Sequence, residues 1–317
     1  MDLHGELVIG SMVATPHRAL LFLYAETPVH AGGEGASGAL DLPIQREVGT
    51  GYPIIKGESL KGALREHTRS RLDPATWTTI FGAEPPKRGQ AAGPLTPGSI
   101  RVHEAQLVAL PVPTLVDTFA WALSPLVRAR LARRASLVGV EIGPADTPDD
   151  PGDDSAWVVG GTNVRQNAVL GSYQVTAQGS PNVREWAAAV ADLALPPTPE
   201  HAFFRNLLAK RLYVVSADLF KALSRECTPV VARVQLGAEV DGVPTKTVAH
   251  GPFYSEYLPA ETVMVALLET RRVAELDTLA GELDGQVVQV GGDETVGKGL
   301  MWCRVVRPGT QAGEADS

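Results

Sequence analysis

Apolar runs and polar breaks alternate along this chain in a way that separates candidate strands from candidate helices. "RALLFLYAETPV", Arg18 to Val29, is a buried-strand run that ends in turn residues. A glycine-rich loop follows from His30 to Ile55, and Ser59 then reads as the cap of a helix through "LKGALREHTRSRL". Glu84 to Ser99 is loop. "IRVHEAQLVALPV" reads as strand, and "FAWALSPLVRARLARR" as a helix with a proline kink. Further on, "RLYVVS", "ADLFKALSREC" capped by Ser216, and "PVVARVQL" predict a β-α-β unit. The Asp241-Gly242 pair is the strongest short hairpin signal in the chain. "ETVMVALLE" predicts a strand, "VAELDTLAGEL" a helix, and "GQVVQVGG" with "LMWCRVV" two closing strands. This alternation, with a hairpin inserted, predicts an α+β fold with a ferredoxin-like core and large insertions. With no solenoid repeat and no clear linker, one elaborated domain is expected.

Charge and cysteine content narrow the function classes. The 317 residues carry 28 basic and 36 acidic side chains, a formal charge of −8, which argues against a free-standing nucleic-acid binder. A basic groove can still coexist with acidic loops. The segment "DTPDDPGDDSAW", Asp146 to Trp157, holds much of the acidic excess and reads as a solvated loop. Cys227 and Cys303 form neither a metal-ligand pair nor a disulfide framework, as expected in a reducing compartment. There is no basic-then-apolar leader and no run of membrane-spanning length. A cytoplasmic protein with no membrane partner is expected.

Four stretches carry candidate chemistry. "GGDETVGKGL", Gly291 to Leu300, satisfies most of the phosphate-binding pattern G-x-x-x-x-G-K, but Gly299 stands where a magnesium-holding Ser or Thr is needed. The β-rich run after it offers no helix N-terminus for phosphate charge. What remains is a loop whose glycines let the backbone pass close to a protein surface or a polyanion. His30, Glu34 and Asp41 share a glycine-rich loop and suit acid-base work or divalent-ion binding. On the residues alone, a turn-capping Asp41 and a packed His30 explain them as well. Lys61 and Arg65, four apart near a helix N-terminus, could hold phosphate oxygens, with Gly57 and Gly62 leaving room for a backbone. "FYSEY", Phe253 to Tyr257, could stack on bases or form the core beneath the hairpin, and Glu256 could be a site carboxylate or an exposed strand charge.

Five co-linear motifs, "LYAETPVHAG", "DLPIQRE", "TGYPIIKGESLKGALRE", "FYSEYLPAETV" and "QVGGDETVGKGL", resemble the RAMP backbone subunits of type III-B CRISPR (Cmr) effector complexes. The likeness runs from about Leu21 to Val306. It implies a single RAMP domain over 21–307, between an N-terminal extension (1–20) and a polar tail (308–317), with a ferredoxin-like palm and a thumb hairpin at about 233–256. It also implies a filament of copies of this chain on a CRISPR guide RNA, with other Cmr-type subunits and a single-stranded target RNA as partners. Target cleavage at regular intervals with a divalent metal, Mg2+ or Mn2+, is implied too. The implicated catalytic residues fall on Asp41, which is also the implied metal residue, His30 and Glu256. Guide-RNA contacts fall on Gly57, Ser59, Lys61, Arg65 and, in the C-terminal loop, Gly291, Gly292, Thr295, Gly297, Lys298 and Gly299. The chain departs from relatives in having His103-Glu104 where Asp-Ala is common, and in its acidic insertion. The alternative is a non-catalytic filament subunit that binds guide RNA while a partner cuts. A guide-processing ribonuclease of the same superfamily is a third reading, against which "DLPIQRE" argues.

Overall fold

The computed structural model describes residues 15–33, 40–84, 96–144, 150–237 and 248–309. The first half of the chain forms β1 (His17–Ala25), β2 (Ile54–Ile55), α1 (Gly57–Thr68), α2 (Pro74–Phe81), β3 (Arg101–Val102), β4 (Ala105–Pro113), β5 (Phe119–Leu123) and α3 (Pro125–Val138). There follow β6 (Ser155–Val158), β7 (Arg165–Leu170), β8 (Tyr173–Gly179), α4 (Pro181–Ala194), α5 (Pro199–Leu208), β9 (Leu212–Val215) and α6 (Ala217–Glu226). The last part forms β10 (Val230–Leu236), β11 (Val248–Glu256), β12 (Val263–Thr270), α7 (Val273–Leu283), β13 (Val287–Gln289) and β14 (Leu300–Val306).

One mixed sheet of 12 strands runs β13-β14-β1-β12-β4-β5-β9-β6-β8-β7, with β2 on β4 and β3 on β12. Its middle quartet, β14-β1-β12-β4, is antiparallel throughout, Phe22 lying opposite both Val265 and Arg304. The unbroken apolar run of β1 follows from its place between two cores. Leu21 and Leu23 pack with Leu60 and Leu64 of α1 and Leu276, Leu279 and Leu283 of α7. Leu20 and Phe22 face the other way, onto Val127 and Leu131 of α3 and Trp186 of α4. A strand buried on both faces has no position left for a polar residue. Truncating Phe22, which is fully buried, would cost about 3–5 kcal/mol.

Several boundaries differ from the pattern reading. "FAWALSPLVRARLARR" is a strand followed by a helix: Ser124 caps α3 through Val127 N at 3.4 Å, and Pro125 takes the first helical position. A proline there loses no hydrogen bond and kinks nothing. Ser59 lies inside the first turn of α1, whose N-cap is Lys56 with no side-chain cap bond. Lys56 N instead donates to Gln45 Oε1 at 2.7 Å. The acidic segment becomes strand at Ser155, because Ala156 and Val158 are buried beside β8 and β9. Ser216 caps α6 as its sequence predicts, through Leu219 N at 3.1 Å.

The expected β-α-β unit does not form. Among the described residues β10 leaves the main sheet and pairs with β11 alone, giving a separate two-stranded antiparallel ribbon. Its exposed Val230, Val231, Val234 and Val248 explain why the sequence looks like a core strand. The Asp241-Gly242 turn lies outside the described residues.

Candidate functional site

The "DLPIQRE" loop is threaded between the root of the ribbon and the loop after β1. Leu42 N donates to Tyr254 O at 3.0 Å and Glu256 N donates to Leu42 O at 2.9 Å, so the loop adds to β11 as a short parallel bridge. On its other side Gln45 N donates to Ala31 O at 2.8 Å and Gly33 N to Pro43 O at 2.7 Å. The buried Gln45 side chain then joins three segments, donating to Gly32 O at 2.8 Å while accepting from Lys56 N. Backbone groups that lose water in such a loop need partners, and these contacts supply several of them.

This threading brings the predicted catalytic residues to one strand. Tyr254 N donates to Asp41 Oδ2 at 2.8 Å, and the remainder of that exposed carboxylate faces outward. His30 Nδ1 lies 2.8 Å from Glu256 O. A carbonyl only accepts, so Nδ1 carries the proton there and Nε2 is left as the acceptor nitrogen. Asp41 and His30 are thereby anchored two residues apart on β11, about 7 Å along the strand.

Glu256 stands differently. Its side chain is 7% exposed, and its carboxylate receives Arg46 Nη2 at 2.5 Å, Thr228 Oγ1 at 2.8 Å and Ile44 N at 3.1 Å. Arg46 donates in turn to Gly51 O and Ser224 O. With its oxygens filled by neighbours, Glu256 holds the loop, the root of the ribbon and the end of α6 together.

The C-terminal glycine-rich loop packs against the same place. Gly291, at φ 81°, would drive a Cβ to 2.3 Å from His30 O, and Gly299, at φ 87°, to 2.3 Å from Val290 O. Both glycines are needed for this close approach before any ligand is considered. Gly292 N donates to His30 O at 3.0 Å. Within the loop, Asp293 accepts the Tyr257 hydroxyl at 2.8 Å and pairs with Arg233 of the ribbon, while Lys298 Nζ sits 5.4 Å from the Tyr257 ring centre. Burial, and then the hydrogen bond to Asp293, push the Tyr257 phenol above its ordinary range. Thr295 and Gly297 stay exposed at the tip.

The predicted RNA contacts divide among three surfaces. Ser59 and Gly291 line a groove of about 460 Å³ between α1 and the glycine-rich loop. Gly57 and Lys61 line a second groove of about 610 Å³ with Lys56 and Arg101. Gly57 is tight there, since a Cβ would meet Val102 O at 2.5 Å. Lys61 Nζ donates to Ile100 O at 3.3 Å, and burial, then the Arg65 charge, lower its pKa. Arg65 has turned away: its guanidinium lies 4.5 Å from the Trp77 ring centre and 4.0 Å from Glu84. The i,i+4 spacing predicts the two cations on one helix face, but Trp77 of α2 draws the Arg65 guanidinium away from Lys61.

A family model described as the RAMP superfamily matches residues 22–302. The chain belongs to the RAMP superfamily. This RAMP chain is 31% identical over 299 residues to the CRISPR system Cmr endoribonuclease Cmr4 of Pyrococcus furiosus, covering 89% of this chain and 93% of that protein. The crystal structure of oligomeric Cmr4 from Pyrococcus furiosus superposes with a TM-score of 0.69 at 26% identity, covering 92% of this chain and 98% of that one. A chain of the type III-B Cmr-beta complex bound to cognate target RNA shares the fold, with a TM-score of 0.67 at 18% identity, over 92% and 98% of the two chains. No helix among the described residues is long and apolar enough to cross a membrane.

For a metal, the RAMP site supplies little from the protein. Among the described residues no group of three or more His, Cys, Asp or Glu side chains could hold one. Glu256 is committed to Arg46, which leaves Asp41 as the outward-facing carboxylate. Among the described residues, one carboxylate fits an Mg2+-type ion that keeps its waters and takes its other ligands from RNA phosphates, while Glu34 lies outside the described residues. Sequence reasoning missed Gln45, Arg46 and Asp293. All three lie inside the quoted motifs, but they sit beside other polar residues or glycine, so no local pattern marked them.

Proposed function

We propose that this chain is a backbone subunit of an RNA-guided type III-B CRISPR effector complex, and that it cleaves complementary target RNA at regular intervals. The observation that carries this is the exposed Asp41 carboxylate, clamped at the foot of a ribbon that stands off the main sheet. Kinship with a Cmr endoribonuclease supports the RNA-cleaving class. The β14-β1-β12-β4 quartet with α1 and α7 reads as the ferredoxin-like palm, and β10–β11 as the thumb. The ribbon's exposed valines suit packing against a neighbouring copy and the guide–target duplex. Recognition of sequence is then left to base pairing, while the groove beside α1 that carries Lys56, Lys61 and Arg101 holds guide phosphates.

In this reading Asp41 sits beside a displaced target nucleotide, where a carboxylate accepts a proton or orients a cation. His30, its ring fixed by Glu256 O, holds the neighbouring loop and offers Nε2 for a proton. A divalent metal, when bound at Asp41, would neutralise charge developing on the scissile phosphate. Glu256 is a tether in this scheme.

Reconstitution with a guide RNA and the other Cmr-type subunits tests the proposal. A labelled complementary RNA should be cut into an evenly spaced ladder, lost when divalent metal is chelated. Target binding with no ladder would leave the chain a guide-binding scaffold.

A further inference from the structure

The Asp293 carboxylate joins parts of the site that cleavage chemistry alone leaves unconnected. Asp293 has φ 65° and ψ 25°, a left-handed conformation that aspartate tolerates better than most residues, and its carbonyl accepts Val296 N at 3.1 Å. One carboxylate oxygen pairs with Arg233 and the other accepts the Tyr257 hydroxyl. The pair is sheltered, with side-chain exposures of 17% for Asp293 and 27% for Arg233. Burial alone would raise the carboxyl, but hydrogen bonds from Arg233 and Tyr257 and the Arg233 charge hold it below its ordinary range.

Arg233 lies opposite Phe253 in the ribbon, its guanidinium 5.6 Å from that ring centre. The next residue, Tyr254, donates its N–H to Asp41. The root pairs, Val230 to Arg233 against Glu256 to Phe253, keep regular register, and the shift comes just beyond Arg233, where such an irregularity bends a strand pair. The glycine-rich loop therefore grips the ribbon one residue away from the bond that places Asp41.

We propose that Asp293 is a positioning residue: by holding Arg233 and Tyr257 it fixes the direction in which the β10–β11 ribbon leaves the palm, and so which target phosphate Asp41 meets. The choice of phosphate rests on the cleavage reading above, while the grip on the ribbon does not. A pair serving only fold stability would leave the cut position alone.

Asp293→Asn keeps the size of the side chain and a partner for Tyr257 while removing the negative charge that pairs with Arg233. In reconstituted complexes it should leave guide affinity within about twofold, slow single-turnover cleavage about 10- to 100-fold, and spread the product ends onto neighbouring phosphates. Arg233→Gln, on the ribbon side, should do the same, and the double variant should be no worse than either alone. Hydrogen exchange across Phe253 to Glu256 in the assembled complex gives a readout without cleavage, and both single variants should exchange faster. Wild-type product ends together with wild-type exchange overturn the proposal, even if the melting temperature falls. Should Asp41→Ala complexes still cut, the cleavage reading fails, and faster exchange with displaced ends in Asp293→Asn would still uphold the grip.

Discussion

Asp41 and Glu256 both sit at the foot of the ribbon, and both are carboxylates in motifs of the same family, yet their surroundings differ in kind. Asp41 is exposed and takes one backbone N–H, whereas Glu256 is buried and takes an arginine, a hydroxyl and a backbone N–H. A carboxylate with open oxygens can meet substrate or a cation. One whose oxygens are filled can only hold its neighbours. Residue type alone cannot separate these roles, and partner count does.

The largest contrast should appear in rate. Asp41→Ala should lower single-turnover cleavage by about two to four orders of magnitude. Guide affinity should stay unchanged, and so should the melting temperature, since no core packing is removed. Next comes Glu256→Ala, which leaves Arg46 half-buried without its partner. Chemical denaturation should show a loss of about 3–5 kcal/mol. A loss below about 1 kcal/mol would erase the distinction between the two carboxylates.

Glu261 adds a third case, a carboxylate that neither faces substrate nor tethers. Among the described residues its buried Oε2 has no hydrogen-bond partner, and burial raises its pKa to about 7. Between the unfolded value near 4.5 and about 7, the folded chain holds a proton that the unfolded chain has lost. Stability therefore falls as pH rises through that window, and it is fully retained below it. Glu261→Gln should raise the melting temperature at pH 8 and leave it nearly unchanged at pH 4. Equal shifts at both would show that ionisation is not the cost. The smallest effect belongs to the grooves: Lys61→Ala should reduce the salt slope of guide binding by about 0.7, the share of one single-strand phosphate contact. Arg65→Ala should leave the slope alone, because Arg65 is stacked on Trp77.

Much of the main sheet and of its helices was legible because the signals are local. The apolar run of β1, the Ser216 cap and the α7 period each reflect a residue's own neighbours in the chain. The ribbon was misplaced because whether β10 joins the main sheet depends on what competes for its edge, and its valines look the same in either setting. Pro125 misled because proline breaks a helix at its middle and favours its first turn, so its meaning hangs on a boundary. In the site, the motifs named Asp41 and His30, and the structure brings both to β11 from separate loops. The motifs could not show that Arg46 fills Glu256, that Trp77 captures Arg65, or that Asp293 reaches the ribbon, since each needs a partner distant in sequence.

The division of labour between the two carboxylates is tested most directly by isosteric variants measured side by side. Asp41→Asn and Glu256→Gln complexes, rebuilt with the same guide RNA, would each be melted and assayed for single-turnover target cleavage per folded complex. Asp41→Asn should melt like the wild type and cut at least 100-fold more slowly. Glu256→Gln should melt lower and, per folded complex, retain most of its cleavage rate. A wild-type rate in Asp41→Asn, or a Glu256→Gln complex that melts normally and does not cut, would contradict the assignment.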